Sequence, residues 1–156
     1  MVRKSFLKTP LVGGGSFNKF YRHWERCCAE AIPYAIFRKA SVYGCYSCDL
    51  SPMLQKGLRL TDEGCQQLKQ ALEAIFDQWF SDKNLFKRER YVKYSWGPVS
   101  IKVEPCPIGQ EQKVHKVICE VLTKHVEACE PIPDWKRLRA IENETAVVRK
   151  GGRERR

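Results

Sequence analysis

A chain of 156 residues with four Trp, six Tyr and seven Phe has the length of one domain and enough apolar bulk for a core without disulfide or metal support. It has no apolar run of about eighteen residues and no charged-then-apolar leader, so no membrane span or secretion is expected; the predicted setting is intracellular, cytoplasmic or in the nucleoid or nucleus, with the eight Cys reduced. The net charge of +10 is uneven: residues 1–24 hold five bases and no acid, residues 135–156 eight bases and three acids, and residues 25–134 fifteen of each.

In chain order, residues 1–16 are basic and end in Gly13-Gly14-Gly15-Ser16, which predicts a flexible arm and a glycine hinge. No Gly-Lys-Ser/Thr follows, so a nucleotide-binding P-loop is unsupported. From Phe17 the apolar positions Phe20, Tyr21, Trp24, Cys27, Cys28 and Ala31 recur at helical steps, with Ser16 as cap and Pro33 as stop. Lys19, Arg22, His23 and Arg26 occupy other positions of that helix, and basic residues interleaved with aromatics suit single-stranded nucleic acid. Tyr34 to Leu50 is rich in aromatic and β-branched residues and predicts one or two strands, with Gly44 as a bulge; Ser51-Pro52 ends the run, and Gly57 turns the linker that follows.

Leu60 to Phe80 is the most legible stretch. Cys65, Leu68, Leu72, Ile75, Phe76 and Trp79 share one helical face, Thr61 or Asp62 caps it, and Glu63, Gln66, Gln67, Glu73 and Asp77 form the wet face. Such a face needs a sheet or other helices against it. Tyr91–Trp96 and Val99–Val103 read as a hairpin turning at Gly97-Pro98, the second strand alternating apolar and polar. Pro105-Cys-Pro-Ile-Gly109 breaks the chain, and a third helix follows with Val114, Val117, Ile118, Val121, Leu122 and Val126 on its inner face as far as Pro131. Asp134 caps a short last helix with Trp135, Leu138 and Ile141 inward. The expected fold is α+β: three main helices and a short C-terminal one on a small antiparallel sheet of three or four strands. Its parts are a flexible basic arm at 1–16, one globular domain at 17–143 and a disordered basic tail at 144–156.

Sites for chemistry are few. Cys45-x2-Cys48 has zinc-ligand spacing, and the third helix offers His115-x3-Cys119 and His125-x3-Cys129 as i, i+4 pairs. A structural Cys3His zinc site can thus be drawn from Cys45, Cys48, His115 and Cys119, although strand alternation opposes its first half and reduced core thiols are the default. No cofactor motif and no nucleophile elbow or His-Glu-x-x-His sequence occurs, so enzyme is the minority reading.

The leading expectation is a non-enzymatic nucleic-acid-associated protein, with RNA ahead of DNA, that contacts phosphates through Arg3, Lys4 and Lys8 of the N-terminal arm and Arg149, Lys150, Arg153, Arg155 and Arg156 of the tail. Lys19 and Arg22 of the first helix and Lys87, Arg88 and Arg90 add further basic points. The alternative is a protein-interaction adaptor or inhibitor using an exposed aromatic patch, with an acidic protein surface as the other candidate partner.

Overall fold

A computed structural model describes residues 6–40, 42–81, 91–96, 100–131 and 147–150. In chain order its elements are β1 (Leu11–Gly13), α1 (Phe17–Glu30), β2 (Tyr34–Lys39), β3 (Tyr43–Asp49), α2 (Ser51–Gln55), β4 (Leu58–Leu60), α3 (Asp62–Ser81), β5 (Tyr91–Trp96), β6 (Ser100–Pro107), α4 (Glu111–Lys124), β7 (Val126–Ala128) and β8 (Val147–Lys150). The fold is α+β, as expected. Its main sheet is larger than three or four strands, with six in the order β1-β2-β3-β6-β5-β8, and β1 runs parallel to β2 while the other pairs are antiparallel. Parallel neighbours need a crossover between them, and α1 supplies it.

Side-chain alternation decides where the core lies. Along β3, Gly44, Tyr46 and Cys48 are buried while Tyr43, Cys45, Ser47 and Asp49 are half-exposed, and on β6 Ile101 and Val103 alternate with exposed Lys102 and Glu104. The inner face so formed joins Leu68, Leu72, Phe76 and Trp79 of α3 and Val114, Ile118 and Leu122 of α4 in one cluster, all fully buried. Each large side chain taken from water there contributes about 1.5–3 kcal/mol before entropy. Thr61 is the cap of α3, its hydroxyl accepting the Gly64 N–H at 3.0 Å, and Asp62 and Glu63 sit against the positive helix end. Ser16 caps α1 by accepting the Lys19 N–H, and left-handed Ala31 closes that helix.

Several boundaries differ from the sequence reading. β6 runs through Pro105 to Pro107 because β3 continues alongside it, with Gly44 opposite Cys106 and a register shift between Gly44 and Tyr46, where the bulge was expected. The third helix stops at Lys124, and Val126–Ala128 pairs with Leu58–Leu60 as a small second sheet. Gly57 turns the chain there with φ +78°, and its carbonyl accepts the Cys129 N–H at 2.8 Å. Met53 and Leu54, assigned to a linker, are core residues of α2. The arm expected at 1–16 is docked from Phe6 onward: Phe6 is fully buried, Thr9 is buried, and Leu11–Gly13 is a strand. The tail expected from 144 contains an edge strand, β8, paired with β5. The helix expected around Trp135, the turn at Gly97-Pro98 and residues 151–156 lie outside the described residues.

Gly44 has no room for a side chain, since an added Cβ would lie 2.5 Å from both the Arg38 carbonyl oxygen and the Phe37 ring. Gly14 meets nothing within 4 Å. Gly44→Ala is expected to lower unfolding stability by about 1–3 kcal/mol. Gly14→Ala is expected to stay within about 0.5 kcal/mol, both read from urea midpoints.

Candidate functional site

Two constellations stand out: a polar relay inside the core and a cationic stripe on α1. The relay begins at Tyr46, which alternation directs inward from β3, and ends on the N-terminal segment. The Tyr46 hydroxyl lies 2.6 Å from His115 Nδ1, and His115 Nε2 lies 2.8 Å from the Thr9 carbonyl oxygen. A carbonyl only accepts, so Nε2 carries the proton and Nδ1 accepts from the phenol; the ring is neutral. Burial drives the His115 pKa below its ordinary 6.5, while the hydrogen bond to Thr9 pulls the other way. Cys119, one turn along α4, places its sulfur 3.5 Å from Nε2. Burial raises its thiol to about 11 against a lowering contribution from the Thr9 hydroxyl.

The four residues drawn as a zinc set are only partly brought together. Cys48 shares the inner face with Tyr46, and His115 with Cys119 lies beside it, all buried. Cys45 is on the opposite face, among Glu104, Lys102 and Arg38, because an odd step along a strand reverses the side chain. Both His115 nitrogens are taken by Tyr46 and Thr9. Among the described residues no three His, Cys, Asp or Glu side chains converge as a metal-binding group. His125 and Cys129 are separated by the strand β7 rather than by a helical turn, and His125 Nε2 instead meets Gln67 Oε1 at 3.0 Å.

The eight thiols are all free, and every one has its pKa raised with burial as the largest cause. Even the half-exposed Cys28 and Cys45 are pushed up to about 11. None carries the lowered pKa of an activated nucleophile.

The cationic stripe runs along α1, where Arg22 and His23 each stand three or four residues from both Lys19 and Arg26. With Ser16 and Asn18 they line an open pocket of about 460 Å³ that has no carboxylate among the described residues of its lining. The first turn of α1 has no acid either, so its positive dipole end adds to the cations. Arg26 Nη2 donates to His23 Nδ1 at 3.2 Å, and the His23 ring stacks on Tyr34 with centroids 6.4 Å apart, which fixes the middle of the stripe. Glu30, one turn past Arg26, ends it. On the other flank Tyr21, 47% exposed, stacks on Trp24 at 5.9 Å.

Of the basic residues expected to meet phosphates, Lys19 and Arg22 are exposed in this stripe and Lys8 is exposed in the turn after Phe6. Arg149 and Lys150 are on β8 rather than in a free tail. Arg3, Lys4, Lys87, Arg88, Arg90, Arg153, Arg155 and Arg156 lie outside the described residues. The sequence reading did not place Arg26 and His23 among the phosphate-binding residues, although their spacing from Lys19 and Arg22 carried the signal. Trp79 is fully buried, so it adds nothing to an exposed aromatic patch, and it donates to Gln110 Oε1 at 3.1 Å. No helix among the described residues is long and apolar enough to cross a membrane. No protein family, curated protein or solved structure matches the chain.

Tyr46→Phe leaves His115 Nδ1 buried without its donor and is expected to cost about 1–3 kcal/mol. Alkylation of the native protein at neutral pH is expected to be slower at all eight thiols than for free cysteine, and to reach the free rate only on unfolding, as followed by mass spectrometry.

Proposed function

We propose that the chain is a non-enzymatic nucleic-acid-associated protein that holds phosphates on the outward face of α1, with RNA ahead of DNA. The observation that carries this reading is the run Lys19, Arg22, His23, Arg26 around a pocket that no carboxylate of the described residues lines, at a helix start without acids. Like charges on one helix face beside the positive dipole end repel one another, and a polyanion relieves that repulsion. The Tyr21 ring, 47% exposed on the side of α1 away from the stripe, gives an unstacked base of a strand that wraps the helix a surface to stack on, which favours looped or single-stranded RNA. The raised thiol pKa values speak against a thiol enzyme.

A smaller observation favours the adaptor alternative. Val42, 61% exposed, and Ile108, 39% exposed, meet where the Ile108 N–H donates to the Val42 carbonyl, and they offer an apolar knob at the end of β3 and β6.

Binding of a fluorescent single-stranded RNA, titrated between about 50 and 200 mM salt, tests the reading. The wild type is expected to bind with a steep negative salt slope. The triple variant K19Q/R22Q/R26Q is expected to bind more weakly, with a slope shallower by about 2, at about 0.7 for each phosphate that the variant leaves unneutralised. Unchanged affinity and slope in the triple variant would remove α1 from the account.

A further inference from the structure

Residues 6–13 cross α4 and finish at the sheet edge as β1, and we propose that this segment is a strap that acid releases, latched at neutral pH by the chain of hydrogen bonds from Tyr46 through His115 to Thr9. Its attachments are few and local. The Phe6 side chain is fully buried, the Phe6 N–H donates to Thr123 Oγ1 at 3.0 Å, and the Thr9 N–H closes a turn onto the Phe6 carbonyl at 3.1 Å. The Thr9 carbonyl then takes the imidazole N–H, and three residues of edge strand complete the attachment. Beyond them comes Gly14, where even an added Cβ would meet nothing within 4 Å, so the segment can swing without dislodging α1.

The neutral ring satisfies both of its partners, and protonation leaves the Nε2–H to Thr9 in place while unsettling the other end. In the neutral state Nδ1 has a lone pair for the Tyr46 hydroxyl and Nε2 has a proton for Thr9. A second proton, on Nδ1, turns the acceptor into a donor. The fully buried Tyr46 O–H must then rotate toward sulfur, a weak acceptor, and a charge appears where water does not reach. The groups facing the ring are Tyr46 and Cys48 from β3, Cys119 from α4 and Thr9 from the strap, with Cys106 of β6 behind Tyr46. Burial keeps the phenol and these thiols protonated, so none supplies a counter-charge. Asp49, Glu111 and Glu120 act on the neighbouring thiols, and among the described residues none is bonded to the imidazole.

The direction follows from linkage. The closed state holds the ring below its ordinary 6.5, so strap closure is at full strength above that value and weakens as pH falls below it. Lifting the strap returns the ring to water and to its ordinary proton affinity. The open-to-closed ratio therefore rises by up to about tenfold per pH unit between 6.5 and the closed-state value.

Amide hydrogen exchange on the full chain tests this, with protection factors for residues 6–13 compared with Leu68–Phe76 of α3 at about pH 7.5 and about pH 5.5. Strap protection is expected to fall at the lower pH, by at most about tenfold, while α3 changes less than about twofold. His115→Gln keeps an acceptor for Tyr46 and a donor for Thr9 but does not titrate; it is expected to retain strap protection at both pH values. A strap that loses protection in step with α3, shows no pH response, or responds equally in His115→Gln overturns the proposal. If that variant does not fold, NMR titration of the wild-type ring decides: its midpoint must lie below 6.5 and coincide with strap opening, and a ring titrating apart from the strap overturns the latch.

Discussion

A phenol and an imidazole, both buried, hold three parts of this molecule in register. Tyr46 is on the central strand pair of the main sheet, His115 on the helix packed over it, and Thr9 on the segment that runs in from the N-terminus. Polar groups this deep cost several kcal/mol when unpaired, about 2–7 depending on the reference, so the chain of hydrogen bonds sets one relative position of strand, helix and strap. That position decides where β1 meets β2.

The regular parts of the fold were legible because each had one dominant period. Leu68, Leu72, Phe76 and Trp79 could belong to nothing but the buried face of a helix, and the Ser16 and Thr61 caps lie where their types put them. The misread parts were those where tertiary pairing overrode a local signal. Pro105 and Pro107 look like a chain break, yet the partner strand carries β6 through them. Val126 fits the helical period of α4 but pairs instead with Leu60 across a second sheet. Phe6 and Leu11 sit in a segment whose charge and glycines suggested a free arm, and their apolar side chains were the overlooked sign that it docks. The paired β-branched residues Val147 and Val148 carried the same message in the expected tail.

The candidate sites divide along the same line. Zinc-like spacing in Cys45-x2-Cys48 failed because a strand, not a turn, presents those residues, and alternation sends them to opposite faces. His115 and Cys119 do lie together, but in a relay whose partner Thr9 is 106 residues away in sequence and out of reach of any motif. Among the described residues the basic stripe lies on a helix. Lys19, Arg22 and Arg26 gain their meaning from what the fold leaves out around them, since no carboxylate of the described residues lines their pocket. A charge count by region cannot resolve that distribution, because the arm and the first half of the helix fall in the same acid-free stretch of 24 residues while Arg26 lies just beyond it.

The claim that this face holds a polyanion meets its most direct check in the protein as purified at low salt. If α1 binds phosphates, nucleic acid should accompany the protein through purification, raise the ratio of absorbance at 260 nm to that at 280 nm, and be shed in a salt wash. Protein that emerges free of nucleic acid at low salt, with a ratio that salt does not change, would contradict it.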